Sequence, residues 1–326
     1  MKICSLLPSG TEILFALGLG DQVVGVSDLC HYPAEARDKP IVCRSKIDVN
    51  ALSSQQVEAT MRRLQAAGES PYALDREWLL QNSPDVVLTQ DLCWFCEVDA
   101  SAVATALRGV PVMPQVVVLN PRTLAEIFAA IRQVGQVCGV PRSAADLVAE
   151  LQGRVAAVTQ RLVLHVKDRR PRVFSLEGIN PLVIGGHWIP DLLQLAGGHL
   201  DRYAPGCAAA RVPWPEVTSW RPEKLFIDLC SSDLARSLRE MPWLAAQAGW
   251  RDLPAVRSGE VYLIDHVYFS SPGPRVVQGL EILAQLTHPE LFSGLVPPEA
   301  VVKLDPELAA RGPAQDIARC FKPYAG

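Results

Sequence analysis

"LLPSGTEILFALGLGDQVVGVSDLCHYP", residues 6–33, decides how the chain folds. The apolar run "KICSLL" that leads into it reads as a strand, broken by the Pro-Ser-Gly turn. "PSGTEILFALGLG" then reads as a turn and a helix, which Thr11 can cap and Gly18 or Gly20 can end. "QVVGVS" is the next strand, followed by "DLCHYPAEARDKP", a loop that closes in a short helix. A strand, a helix and a strand in this order pair in parallel through a right-handed crossover.

The same alternation continues outward. "PIVC" is a third short strand, "LDREWLLQNSP" a helix that feeds the strand "DVVLTQ", and "ASAVATALRG" another helix. "PVMPQVVVL" is a strand and "TLAEIFAAIRQVGQVCG" a strongly apolar helix. Leu147, Leu151, Val155, Val158 and Leu162 then recur at helical spacing along one long helix. Past it, "PRVFSLE", "PEKLFIDL" and "GEVYLID" supply strands, while "HWIPDLLQLAGG" and "GPRVVQGLEILAQLTHP" supply helices. The expected class is α/β, with two Rossmann-like lobes of parallel sheet joined by one long backbone helix. The expected boundaries are 1–140 for the first lobe, 141–166 for the connecting helix, 167–293 for the second lobe and 294–326 for a Pro-rich tail.

Composition narrows the function. The chain has 326 residues, 49% of them apolar, and 31 Lys+Arg against 35 Asp+Glu. No basic run offers the clustered cations that nucleic acid requires. No apolar stretch is long enough to span a bilayer, so no membrane insertion is expected. Pro8, Ser9, Gly10 and Glu12 interrupt the N-terminal apolar run too early for an export signal. Nine cysteines form an odd, scattered set instead of an even disulfide framework. Both features point to a cytoplasmic protein, or to a periplasmic or extracellular one if a leader was removed.

In open parallel sheets ligands sit outside the carboxyl ends of the strands. "PSG", "DLCHYP" and "DLCWFC" fall at such ends in the first lobe, and "CSSD" and "HVYFSSPGPR" in the second. These segments make Ser9, His31, Tyr32, Asp91 and Trp94, with His266, Tyr268 and Phe269, candidates to line one cleft.

Those residues, with "EGINPLVIGGHWIPDLLQLAGG", "RVPWPEV" and "SPGPRVVQGLEILAQLTHPELF", make the chain similar to a known family. It resembles the substrate-binding proteins that deliver vitamin B12 and iron chelates to ABC importers, in their B12-binding branch, over roughly residues 1–293. The resemblance implies two lobes on a rigid helical backbone, little hinge closure and one ligand between them. That ligand would be a corrinoid, cobalamin or cobinamide, against aromatic walls and scattered polar groups. Trp188 and Trp214 join the candidate contacts, Trp214 by a fairly direct match within "VPWP". The family docks one glutamate of each lobe onto its membrane partner, and Glu77 matches the first. Trp220 falls at the second, with Glu216 and Glu223 displaced from it. The family's acid–arginine pair ahead of the last helix has only Asp265 and His266 here.

The thiols and imidazoles leave alternatives open. Cys30, Cys93, Cys96 and Cys230 all sit at strand ends facing the cleft and could hold zinc or an iron–sulfur cluster. Alternatively they are small apolar fillers. His31, His187 and His266 could each ligate a cobalt or iron centre axially, His187 foremost, or could simply hydrogen-bond. "GLGLGD" follows its helix instead of opening it, no P-loop is present, and no Ser-His-Asp or Cys-His set appears. A pair such as Asp28 and Asp91 could in principle work as acid and base, but capping or ligand binding suits them better. The expected function is corrinoid binding without catalysis, for uptake or intracellular carriage. A metalloprotein or redox protein with a Cys-ligated centre is the alternative, and an iron-chelate or haem binder a weaker one.

Overall fold

A computed structural model describes residues 1–92, 100–110, 112–165, 170–200 and 203–326. The first lobe is built on β1 (Ile3–Ser5), β2 (Val23–Ser27), β3 (Ile41–Ser45), β4 (Tyr72–Leu74), β5 (Val86–Thr89) and β6 (Gln115–Val118). Their order across the sheet is β4-β3-β2-β1-β5-β6. The pairs are parallel except β3 with β4, which is antiparallel. Helices α1 (Pro8–Ala16), α2 (Ser54–Ala66), α3 (Arg76–Asn82), α4 (Ala100–Ala106) and α5 (Leu124–Val137) accompany them.

α1 starts earlier than expected. Pro8 occupies its first turn, where a missing N–H costs nothing, and Leu7 is the N-cap. Thr11 is therefore inside the helix, and its hydroxyl donates to Ser5 Oγ at 2.9 Å. Gly18, at φ +76°, takes the left-handed turn that follows the helix.

α6 (Pro141–His165) is the connecting helix, 25 residues and about 37 Å long. Ala144, Val148, Leu151, Val158 and Leu162 are its buried stripe. The second lobe carries β7 (Val173–Gly178), α7 (Ile189–Leu195), α8 (Trp214–Trp220), α9 (Leu234–Ala245), α10 (Pro254–Arg257) and α11 (Val276–Thr287), with α12 (Pro306–Arg311) near its end. Its other strands are β8 (Val183–Ile184), β9 (Ala210–Arg211), β10 (Lys224–Ile227), β11 (Val261–Ile264), β12 (Val301–Leu304) and β13 (Phe321–Pro323). The order is β13-β12-β11-β10-β7-β8-β9.

Two features differ from the expectation. Only β7, β10 and β11 pair in parallel, and both flanks of this sheet are antiparallel. β7 and β8 are joined by too short a connection for a crossover, so the chain turns back on itself. Residues 294–326 are no separate tail either. β12 and β13 extend the sheet beyond β11, and Phe321 and Ile317 enter the second-lobe core.

Besides its own core, each lobe contributes to one that spans both. A single apolar cluster runs from Ile3, Leu14 and Ile127 through Leu151 and Val158 of α6 to Leu192, Leu280 and Leu283. α5 and α6 approach so closely at Gly135 that an added Cβ would lie 2.3 Å from the Ala144 Cβ. Gly135→Ala is therefore expected to destabilise the protein by about 2 kcal/mol through overpacking. Urea denaturation reads this directly, and an unchanged midpoint would contradict the tight helix contact.

Candidate functional site

The carboxyl ends of both sheets meet around a cavity of about 430 Å³. Pro8 and the loop after β2, with Asp28, His31 and Tyr32, wall it from the first lobe; Ser231, His266, Ser270 and Arg275 wall it from the second. Local chemistry holds each wall in place. Both carboxylate oxygens of Asp28 accept from Ser45 N, at 3.2 and 3.0 Å, so Asp28 ties the loop after β2 to the end of β3. Asp265 accepts from Val267 N at 3.1 Å and caps the short turn that carries His266.

A buried ion pair joins the walls underneath. Arg275 Nη2 donates to Glu12 Oε1 at 2.5 Å, with the two side chains 15% and 1% exposed. Burial raises the Glu12 carboxyl above its ordinary pKa, while Arg275 pulls it back down. The same guanidinium lies 4.0 Å from the centre of the Tyr32 ring, which is 47% exposed. Arg275 and Tyr32 also border a groove of about 810 Å³ outside the cleft, between α1, α6 and the loop at 32–39.

His31 and His266 thus line one cavity from opposite lobes. Burial lowers the His266 pKa most; Asp265 and Asp233 oppose this, while Arg275 and His31 add to it. Its Nδ1 is buried and has no hydrogen-bond partner among the described residues. A neutral imidazole keeps one N–H donor and one free nitrogen that could accept a hydrogen bond or bind a metal.

The remaining candidates disperse. His187, with φ 55°, donates its backbone N–H to Cys207 O, and its ring stacks on Trp188 with centroids 5.8 Å apart. Burial and the nearby Arg122 lower its pKa, and it is not part of the histidine-lined cavity. Trp188 is buried and donates from Nε1 to Phe269 O at 2.8 Å, so both aromatics are core residues. Trp214 donates to Ala248 O at 2.7 Å and packs against Trp250 in the second-lobe core. Tyr268 packs half-buried against the shared core. Ser9 is fully buried beside the cavity wall, and its hydroxyl has no partner among the described residues. Asp91 is exposed, and its backbone N–H donates to Asn120 Oδ1 at 2.6 Å.

Cys93, Trp94, Phe95 and Cys96 lie outside the described residues. Cys30 is buried and accepts from Thr11 Oγ1 at 3.1 Å. Cys230 borders a different cavity, of about 250 Å³, that Cys30 does not reach. Among the described residues no group of three or more His, Cys, Asp and Glu could hold a metal ion. Glu77 is exposed on α3 and accepts from Gln81 at 3.0 Å. Glu216 accepts from Tyr203, Glu223 pairs with Arg172, and Trp220 donates to Val173 O.

Arg275 and Arg236 were not singled out from the sequence. "GPR" at the start of α11 was legible as a cleft segment, but a partner 263 residues away was not.

The chain belongs to the Periplasmic binding protein family, whose profile matches residues 3–268. It is 25% identical over 300 residues to the uncharacterized ABC transporter substrate-binding lipoprotein YvrC of Bacillus subtilis, covering 89% of this chain and 81% of the relative. It is 23% identical over 287 residues to a vitamin B12-binding protein of Vibrio campbellii, covering 86% of each. A periplasmic heme binding protein from Pseudomonas aeruginosa shares the fold, with a TM-score of 0.66 at 18% identity over 89% of this chain and 94% of that one. Membership makes the chain a solute-binding protein of transport, not an enzyme.

Membership also overturns the expectation of a cytoplasmic protein, and intracellular carriage with it. The family is periplasmic, and the Bacillus relative is a lipoprotein. An odd cysteine count reports on compartment only when thiols are placed to pair, whereas Cys4, Cys138 and Cys320 are buried as small apolar fillers. Among the described residues no helix is long and apolar enough to cross a membrane.

The depressed His266 pKa has a consequence for stability. As pH falls below 6.5 the unfolded chain takes up the proton before the folded one does. The His266 contribution to stability therefore drops on acidification, between pH 6.5 and the folded pKa. His266→Gln removes this contribution, so the variant should lose less stability than the native protein between pH 6.5 and about 5. Denaturation midpoints at the two pH values check this, and identical losses would contradict it.

Proposed function

We propose that the chain is the solute-binding component of an ABC importer and that its ligand is a metal-centred macrocycle, a corrinoid first. The observation that carries this reading is the pair of histidines, His31 and His266, bordering one interlobe cavity from opposite lobes. Imidazole nitrogens suit cobalt and iron, and the hydroxyls of Ser231 and Ser270 suit the amide rim of a corrinoid. The B12-binding Vibrio relative supports the corrinoid. Haem is the second reading, because imidazoles would equally suit its iron and a haem-binding protein shares the fold. Glu77 is the proposed first-lobe contact with the importer, being exposed on α3.

The test is the visible spectrum of the protein after mixing with excess hydroxocobalamin and desalting. About one corrinoid per chain should co-elute, and His266→Ala should weaken binding by about tenfold or more, equivalent to about 1.4 kcal/mol. A colourless protein that instead retains haemin would transfer the proposal to haem. A protein that retains neither would sink it.

A further inference from the structure

α2 and the loop ahead of it, residues 46–53, stand apart from the cores of both lobes. Ile47, Val57, Met61 and Leu64 form a small apolar cluster of their own, with Val49 and Leu52 packed against it. Ser53 and Gln56 close a capping box that starts α2 as an independent unit. The contacts that hold this segment over the cleft are polar and come from the second lobe. Ser54 N donates to Glu240 Oε1 at 2.7 Å, and Arg236 donates to Leu52 O and Ser54 Oγ, both at 3.2 Å. Asp233 N donates to Asn50 Oδ1 at 3.1 Å, Arg239 donates to Asn50 O, and Arg211 pairs with Glu58.

The space beneath is not filled. A cavity of about 250 Å³ lies between Val49 and Val57 of this segment and Ile179, Val183 and Leu229 of the second lobe. Val49 borders it and the histidine-lined cavity alike, so the segment lies between two cavities, the smaller of which is also lined by Glu58, Glu177 and Arg236. Parting the segment from the second lobe would join the two cavities into one cleft. The apolar core shared by the lobes and α6 opposes wide movement of one lobe against the other. Water can replace the polar contacts of the segment when they part, so this is the edge of the cleft with least to lose on opening.

We infer that residues 46–66 are a lid that parts from α9 to admit the ligand, and that Arg236 and Glu240 are the latch that sets its closed state. The inference rests on the reading that a solute binds between the lobes. Arg236→Ala with Glu240→Ala removes both buried charges together, so neither is left alone. Asn50→Ala with Arg239→Ala loosens the same lid from its exposed side and does not threaten the core.

In ligand-free protein, amide hydrogen exchange over residues 50–54 should speed up about tenfold in both double variants, with α5 and α11 unchanged. Association of hydroxocobalamin, followed by stopped flow, should be several-fold faster. Unchanged exchange at 50–54 in both variants would overturn the lid, as would equal acceleration in α5 and α11. If native protein takes up no hydroxocobalamin, the ligand reading fails separately and the exchange result alone decides the lid.

Discussion

The ion pair between Glu12 and Arg275 is the constraint on which the cleft depends. It ties the first helix of one lobe to the start of α11 in the other, beneath the cavity that the two lobes share. Burying a carboxylate is costly unless a cation meets it, and breaking such a pair from one side costs about 3–5 kcal/mol. The pair is thus a weak source of net stability, but losing either partner would leave the other's charge buried alone between the lobes. Tyr32 stacks on the same guanidinium, so the wall that carries His31 is positioned by the contact that positions the floor.

Above that floor the molecule separates rigid from adjustable parts by the kind of contact each uses. The junction through α5, α6 and α11 is apolar, closely packed and continuous across both lobes. The opposite edge of the cleft is held by hydrogen bonds between α9 and residues 50–54, and its own apolar cluster is small. A binding protein needs both properties. The junction keeps the two histidine-bearing walls aligned, while the polar edge is the part proposed to open.

Much of the fold was legible because its signals are local. The strand, helix and strand of residues 3–27 obey composition and turn chemistry, as does the long apolar stripe of α6. β8 and β9, at two residues each, are too short to show a period, and β12 and β13 sit within Pro-rich sequence that reads as loop. α2 went unread although Ser53 and Gln56 spell a capping box. His31 and His266, which follow strands at the carboxyl end of each sheet, do border one interlobe cavity. Trp188 and Phe269 follow the same rule but are core residues, and Trp214 packs half-buried against the second-lobe core, since an aromatic near a strand end can turn inward as readily as toward a ligand. What no local pattern could supply was pairing across the lobes: Arg275 with Glu12, and Arg236 with the loop ahead of α2.

The measurement that bears most directly on a metal-centred ligand held between the lobes is the electron density of crystals grown with hydroxocobalamin. The expected result is a corrin ring in the interlobe cleft with its cobalt facing His31 or His266, and the Glu12–Arg275 pair intact beneath it. A ring bound in the outer groove beside α6, or away from both histidines, would contradict the account.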